Sequence, residues 1–240
     1  MREFTLRLGR TDTTVQVDRR TVVLVDDAAH ARTLVDALAA GGLRAVHADD
    51  GGRGTVQDLL PRRADASEVE RVRAALHLDD DVLQWRLRDS GPLHRLLAAS
   101  FVALASGADG IVVDLSAVAA SAFDAAHACS HLRRAAESLG ATVVAVVPDA
   151  ALLSSAGTHL VVVAGDAVVE SGPVASLLAQ PRSDALVRRL EATPVPNPMA
   201  MQMRRVQRVT TRPVNYAHTT IIDLPTQDSV ALAGGEDDEA

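Results

Sequence analysis

Residues 159–173, HLVVVAGDAVVESGP, contain the pattern that decides the fold. Two mostly apolar runs, at 159–163 and 167–170, flank the turn-forming pair Gly165-Asp166. Apolar runs on either side of such a pair predict a β-hairpin. Short helices are predicted to follow at 174–178 and 183–190, with Pro181 between them.

Three upstream runs are almost entirely apolar, which is typical of strands buried on both faces of a sheet. They occupy residues 21–25, 110–114 and 143–147. Helical spacing follows the first run at 31–40 and the second run at 122–139. Alternating strands and helices predict a layered α/β domain with a mainly parallel sheet.

The remaining segments complete this prediction. Alternation at 2–8 and 13–17 predicts two small antiparallel strands. Residues 49–66 are predicted to be loop, and Ser67 is predicted to cap a helix that runs to Leu78. A strongly apolar helix is predicted at 93–105.

Composition excludes several classes of function. The 24 basic residues are all arginine, so catalysis by lysine is excluded, as is a P-loop lysine. The net charge of −7 argues against a general nucleic-acid partner. A single cysteine, Cys129, excludes an internal disulfide and any cysteine-rich metal site. Because no apolar run is long enough to span a membrane, we expect a cytoplasmic protein.

Taken in order, these segments resemble the ATP-binding subunit of an ABC transporter. The hairpin at 159–173 resembles the one that follows the switch region in that family. The stretch ALVRRLEATPVPNP at 185–198 is similar to the tail found in the oligopeptide and dipeptide importer branch. The resemblance implies a P-loop NTPase-like fold, the ABC nucleotide-binding domain, over residues 1–198. It also implies a shortened Q-loop and helical subdomain at 55–105. Residues 199–240 have no counterpart, and we expect an interface segment there followed by an acidic disordered tail.

The resemblance places a degenerate nucleotide-binding loop, the Walker A position, directly after the first buried strand. The matching octet is Asp26, Asp27, Ala28, Ala29, His30, Ala31, Arg32 and Thr33. The family's three glycines are replaced, Arg32 stands in place of lysine, and Thr33 is retained. Two carboxylates at the mouth oppose a triphosphate, and Arg32 is expected to offset them or to pair with Asp26 or Asp27.

The other landmarks of the family follow along the chain. Gln57 is Q-loop-like, and the signature-like segment comprises Ser90, Gly91 and Pro92. Asp114 matches the Walker B carboxylate, but Leu115 stands where the family has its catalytic glutamate. Pro148 stands where the switch histidine is expected, and Asp149 follows it.

These replacements predict a non-catalytic subunit, a pseudo-ATPase, with a structural or regulatory role. Its expected partners are an intact ATP-binding subunit and the membrane permease of a peptide-type importer, at the inner face of the membrane. It is expected to bind no cofactor itself, with ATP and Mg²⁺ only in the partner's site, and to meet the membrane only through proteins.

Three alternatives stay open. One is a stand-alone scaffold or regulator on this fold or on a STAS-like fold, which residues 110–148 also resemble, with Ser121 as a loose phosphorylation candidate. An enzyme that uses Arg32 and Asp114 in unfamiliar roles is another. The third is a metal site, since His127 and His131 have suitable spacing on a predicted helix. No third ligand is identifiable, so no metal is expected.

Overall fold

The computed structural model describes residues 2–8, 11–26, 28–49 and 54–193. The strands are β1 (Arg2–Leu8), β2 (Thr11–Val17), β3 (Arg20–Val25), β4 (Arg44–Val46), β5 (Gly110–Asp114), β6 (Thr142–Val147), β7 (His159–Ala164) and β8 (Ala167–Pro173). β1 and β2 form an antiparallel pair. The other six form one sheet in the order β4-β5-β6-β3-β7-β8, in which only β8 is antiparallel to its neighbour.

Helices cover both faces of this sheet. They are α1 (Ala28–Ala40), α2 (Val56–Leu59), α3 (Ala66–Ala75), α4 (Pro92–Ala105), α5 (Ser116–Ala119), α6 (Ala122–Leu139), α7 (Leu153–Ala156), α8 (Val174–Ala179) and α9 (Asp184–Ala192). Short 3₁₀ turns occur at Val82–Gln84, Leu87–Asp89 and Ala150–Leu152.

Alternating side chains of the central strands enter two separate hydrophobic cores. Val23 and Val25 of β3 pack with α1 and β2 on one face. Val22 and Leu24 pack with α3, α4 and α6 on the other face. This two-sided burial explains why the middle of each central strand is apolar, with the buried polar residues Thr21, Asp114 and Thr142 at or next to strand ends.

Most of the predicted elements are confirmed. The hairpin forms as β7 and β8, and Gly165 in its turn has a positive φ of 55°. The predicted helix at 122–139 is α6, which ends at Gly140 in the left-handed conformation that favours glycine. β1 and β2 form the predicted antiparallel pair, although β2 begins two residues before the predicted start.

Two predictions about residues 44–78 are wrong, and one strand there was not predicted. Residues 49–66 were expected to be loop, but the short helix α2 lies within them, preceded by its N-cap Thr55. Ser67 does not cap the next helix; the carboxylate of Asp65 does, accepting the backbone N–H of Ser67 at 2.8 Å. The three-residue strand β4 was not predicted, because it is too short to show a pattern.

Two further findings bear on the predicted organisation. No helix within the described residues is long and apolar enough to cross a membrane. The expected domain end at 198, the interface segment and the acidic tail of 199–240 lie outside the described residues.

Candidate functional site

The carboxyl ends of the parallel strands bring the predicted site residues to one edge of the sheet. β3 is followed by Asp26, β5 ends in Asp114, and β6 is followed by Pro148. β4 is followed by His47, which the sequence analysis did not select. Ligands of open α/β sheets bind outside such strand ends, so this edge is the candidate site.

The octet at 26–33 is mostly helical. β3 ends at Val25 and α1 begins at Ala28, so two residues join them. Asp27, one of the two, lies outside the described residues. From Arg32 onward the backbone N–H groups of an α-helix that begins at Ala28 donate within the helix. The side chain of Ala31 is buried in the core, whereas His30, Arg32 and Thr33 are exposed.

Asp26 is held by the hairpin on the other side of β3. Its Oδ2 accepts a hydrogen bond from the backbone N–H of Gly165 at 3.0 Å. Next to it, the guanidinium of Arg189 in α9 donates to the carbonyl oxygen of Val25 at 3.2 Å. Asp26, Arg188 and Arg189 line a groove between the strand end and α9. The end of β3 is therefore tied to β7–β8 and to α9.

Arg32 forms a salt bridge with Asp49, which follows β4. The nitrogen–oxygen distance is 2.7 Å, and both side chains are more than half exposed. The hydrogen bond from Arg32 is the main reason why the pKa of Asp49 lies below its usual value. Of the two expected partners, Asp27 lies outside the described residues, and Asp26 accepts the N–H of Gly165. Exposed pairs of this kind contribute about 1 kcal/mol or less to stability.

Asp114, the Walker B-like carboxylate, is buried among hydrogen-bond partners from the chain itself. Its Oδ1 accepts from both the N–H (2.9 Å) and the hydroxyl (2.5 Å) of Ser116. Its Oδ2 lies 3.6 Å from Nδ1 of His47. His47 is 5% exposed, and its Nε2 lies 3.4 Å from Oδ1 of Asp36 on α1. A row of carboxylate, imidazole and carboxylate thus joins β5, β4 and α1.

The two positions that the resemblance matches to a glutamate and a histidine carry side chains of a different kind. Leu115 is fully buried in the hydrophobic core and presents no polar group at the edge. Pro148 is half-buried and cannot ionise. Asp149 caps the 3₁₀ turn that follows, because its Oδ1 accepts the N–H of Ala151 at 2.9 Å.

The signature-like segment forms the start of α4. Gly91 is the N-cap residue and Pro92 occupies the first helical position, where a missing N–H costs nothing. The hydroxyl of Ser90 donates to the carbonyl oxygen of Arg86 at 2.9 Å. Ser90, Gly91, Trp85 and Arg86 line a shallow groove.

The Q-loop-like Gln57 lies exposed on α2. Its side-chain carbonyl accepts a hydrogen bond from the Gln84 amide at 3.4 Å. Gln57 also lines a groove with Leu60, Arg62 and Val69 that runs along α2 and α3.

The sequence analysis missed four residues of the edge: Asp36, His47, Asp49 and Ser116. A usable signal existed for Ser116, since an Asp followed two residues later by Ser at a strand end favours a local side-chain cap. His47 had no such signal because β4 is so short. Among the described residues, no group of three or more His, Cys, Asp or Glu side chains could hold a metal ion.

Comparisons with solved structures define the fold. A putative metal-chelate type ABC transporter in an inward-facing conformation matches with a TM-score of 0.61 and 14% identity, over 79% of this chain and 88% of that chain. The ADP conformation of MJ1267, an ATP-binding cassette of an ABC transporter, gives 0.58 and 13%, over 80% and 98%. The cbiO1 subunit of Clostridium perfringens, part of the transporter complex cbiONQ, gives 0.59 and 10%, over 87% and 97%.

The chain therefore has the fold of ABC-transporter ATP-binding cassettes, a P-loop NTPase-like α/β fold. At the level of sequence, no family model and no curated protein matches it. β3 and α1 belong to the same layered unit as β5 and β6, and the STAS-like interpretation left that first strand and helix unexplained.

Proposed function

We propose that this chain is a non-catalytic subunit with the fold of an ABC cassette and a structural or regulatory role. The observation that carries the proposal is the two-residue connection between Val25 and Ala28. A P-loop cradles phosphates with the backbone N–H groups of a glycine-rich loop, and its lysine neutralises the β- and γ-phosphates. Two residues are too few for such a loop.

Charge at the strand end supports the same conclusion. The N-terminus of α1 would attract an anion by its dipole, but Asp26, two residues before α1, adds a negative charge to the segment that leads into the helix. At about 4 Å, one further negative charge is opposed by roughly 4 kcal/mol at an effective dielectric constant near 20. Arg32, the replacement for the P-loop lysine, is engaged by Asp49.

The side chains that ATP hydrolysis needs are also missing at the positions implied by the resemblance. Leu115 offers no carboxylate to orient an attacking water, and its side chain is packed in the core. Asp114 is retained, but both carboxylate oxygens face groups of the chain itself. We therefore infer that the chain contributes a surface and no catalytic centre.

The proposed partner is an intact ATP-binding subunit of a peptide-type importer. That subunit would bind ATP and Mg²⁺, and this chain would offer the groove at Ser90 and Gly91 as the opposing surface. The groove along α2 and α3 at Gln57 is the proposed contact with the permease, which would hold the chain at the inner face of the membrane. The peptide-type assignment rests on the resemblance of residues 185–198.

The first test is titration of the purified full chain with Mg²⁺ and ATP in a calorimeter. We expect no saturable binding up to about 1 mM ATP, that is, a binding free energy weaker than about −4 kcal/mol. The matched variants are Asp114→Ala and Asp149→Ala, since both carboxylates accept the N–H of the residue two positions later at 2.9 Å. Saturable binding that D114A removes and D149A keeps would overturn the pseudo-ATPase proposal.

The second test identifies the partners. The tagged chain is purified from its own host in mild detergent, and the bound proteins are identified by mass spectrometry. Recovery of a permease with an intact ATP-binding subunit supports the transporter role, and Gly91→Ala should then alter the ATPase rate of the complex. Recovery of the chain alone or with soluble proteins would contradict that role and favour the stand-alone scaffold.

A further inference from the structure

Two histidine side chains of α6 converge. His127 and His131 lie one helical turn apart, and their Nε2 atoms are 3.1 Å from each other. Their rings are nearly perpendicular, with centroids 4.5 Å apart. His131 is buried, whereas His127 is exposed to solvent. The pair lies on α6, outside the cluster at the strand ends.

A backbone carbonyl fixes which nitrogen of His131 is available. Nδ1 of His131 donates to the carbonyl oxygen of Leu76, which follows α3. The Nε2 atom of the neutral ring therefore carries a lone pair and faces His127. A ring that donates one N–H to a backbone carbonyl and presents its other nitrogen is the usual arrangement of a metal-binding histidine.

We propose that His127 and His131 form a two-histidine binding site for a divalent transition-metal ion of the kind that prefers imidazole, such as Zn²⁺. Zn–N bonds of about 2.0–2.1 Å at a tetrahedral angle hold two nitrogen atoms about 3.3 Å apart. The observed 3.1 Å needs an opening of only a few tenths of an ångström. Both ligands come from one rigid helix, so little conformational entropy is lost on binding.

One proton lies between the two Nε2 atoms and has to move before a metal ion can bind. Without metal, His127 Nε2–H donates to His131 Nε2, since the proton of His131 is on Nδ1. Binding requires His127 to carry its proton on Nδ1 instead, a tautomer change that solvent water can perform because the ring is exposed. No net proton is released by that exchange.

Two coordination positions remain for water or for a ligand from another molecule. Within the described part of the chain no third side chain completes the site. Arg134 and His77 lie close enough to influence His131 electrostatically, and a positive charge on either of them weakens cation binding. We therefore expect a reversible site rather than a permanent structural metal.

The test uses the untagged full chain, stripped with chelator and titrated with Zn²⁺ in a calorimeter and by NMR of the imidazole rings. We expect one equivalent of Zn²⁺ and selective shifts of the His127 and His131 resonances. His127→Asn should weaken binding by at least about tenfold, the loss that removal of even a supporting contact produces. Because His127 is exposed, this variant is expected to fold normally.

His131→Asn is the second variant, and its thermal unfolding in chelator shows whether the fold survives. His77→Asn and His94→Asn are the matched controls, and they should retain or strengthen binding. If the wild-type chain shows no saturable Zn²⁺ binding, or if His127→Asn binds as tightly as the wild type, the proposal is wrong. The result does not depend on the proposed pseudo-ATPase role, since no nucleotide is present.

Discussion

Leu115 provides a direct test of whether the candidate site can be catalytic. The ABC resemblance places a catalytic glutamate at this position, so Leu115→Glu would restore the side chain that hydrolysis needs. In the structure, however, the side chain of Leu115 is fully buried in the larger hydrophobic core. We expect Leu115→Glu to destabilise the fold and to leave the chain without ATPase activity.

The magnitude follows from burial. Truncation of a fully buried leucine to alanine costs about 2–5 kcal/mol, and a glutamate adds the desolvation of its carboxyl group. Leu115→Glu should therefore cost at least as much as Leu115→Ala. Leu115→Met, which conserves volume and hydrophobicity, should cost less than about 1.5 kcal/mol.

The assay is urea unfolding followed by far-UV circular dichroism. With a slope of about 1–3 kcal/mol/M, Leu115→Glu should lower the midpoint by at least about 1 M relative to the wild type. If Leu115→Glu unfolds at the same midpoint as Leu115→Met, the side chain at 115 reaches solvent, and the argument from core packing is refuted. Measurable Mg²⁺-dependent ATP hydrolysis by the glutamate variant would refute the proposed loss of catalytic machinery more broadly.

Three further predictions concern stability. Burial alone would raise the pKa of Glu170, but hydrogen bonds from Ser183 and Arg182 lower the pKa overall. The contribution of Glu170 to the free energy of unfolding is therefore full above the ordinary pKa of about 4.3, and it is lost as pH falls through the lower folded pKa. Glu170→Gln should flatten that acid loss in urea melts. Gly140→Ala, at φ 67°, should cost about 1 kcal/mol in thermal unfolding, and no loss would contradict its role as C-cap. Arg32→Ala should change the free energy of unfolding by less than about 1 kcal/mol, because the salt bridge between Arg32 and Asp49 is exposed. A larger change, measured by urea unfolding, would contradict this estimate.

Elements with a strong local pattern were predictable from the sequence. β3, β5 and β6 are continuous apolar runs, and α6 combines helical spacing with a glycine at its end. β4 was missed because three residues carry no periodicity; this strand exists through its pairing with β5. Ser67 was predicted as the N-cap of α3 because Glu70 follows three residues later, as in a capping box, but the helix begins at Ala66 and Asp65 caps it.

The candidate site was predictable as a list of strand ends but not as an arrangement. Asp26 and Asp114 follow buried strands in the sequence, and parallel pairing brings such ends to one edge. The partners of these carboxylates come from distant segments: Gly165 for Asp26, and His47 for Asp114. No local pattern specifies those contacts.

By itself, the sequence determined the alternation of strands and helices and the hairpin at 159–173. It also carries the resemblance from which the replacement of ATP-binding and catalytic residues is predicted. These features depend on local pattern and on residue identity at single positions. The tertiary structure decided where α1 begins, that Leu115 is buried, and that Asp49 pairs with Arg32. The physical reason is that helix starts, burial and ion pairs depend on how α1 and the strands pack across the sheet, which brings together residues far apart in the chain.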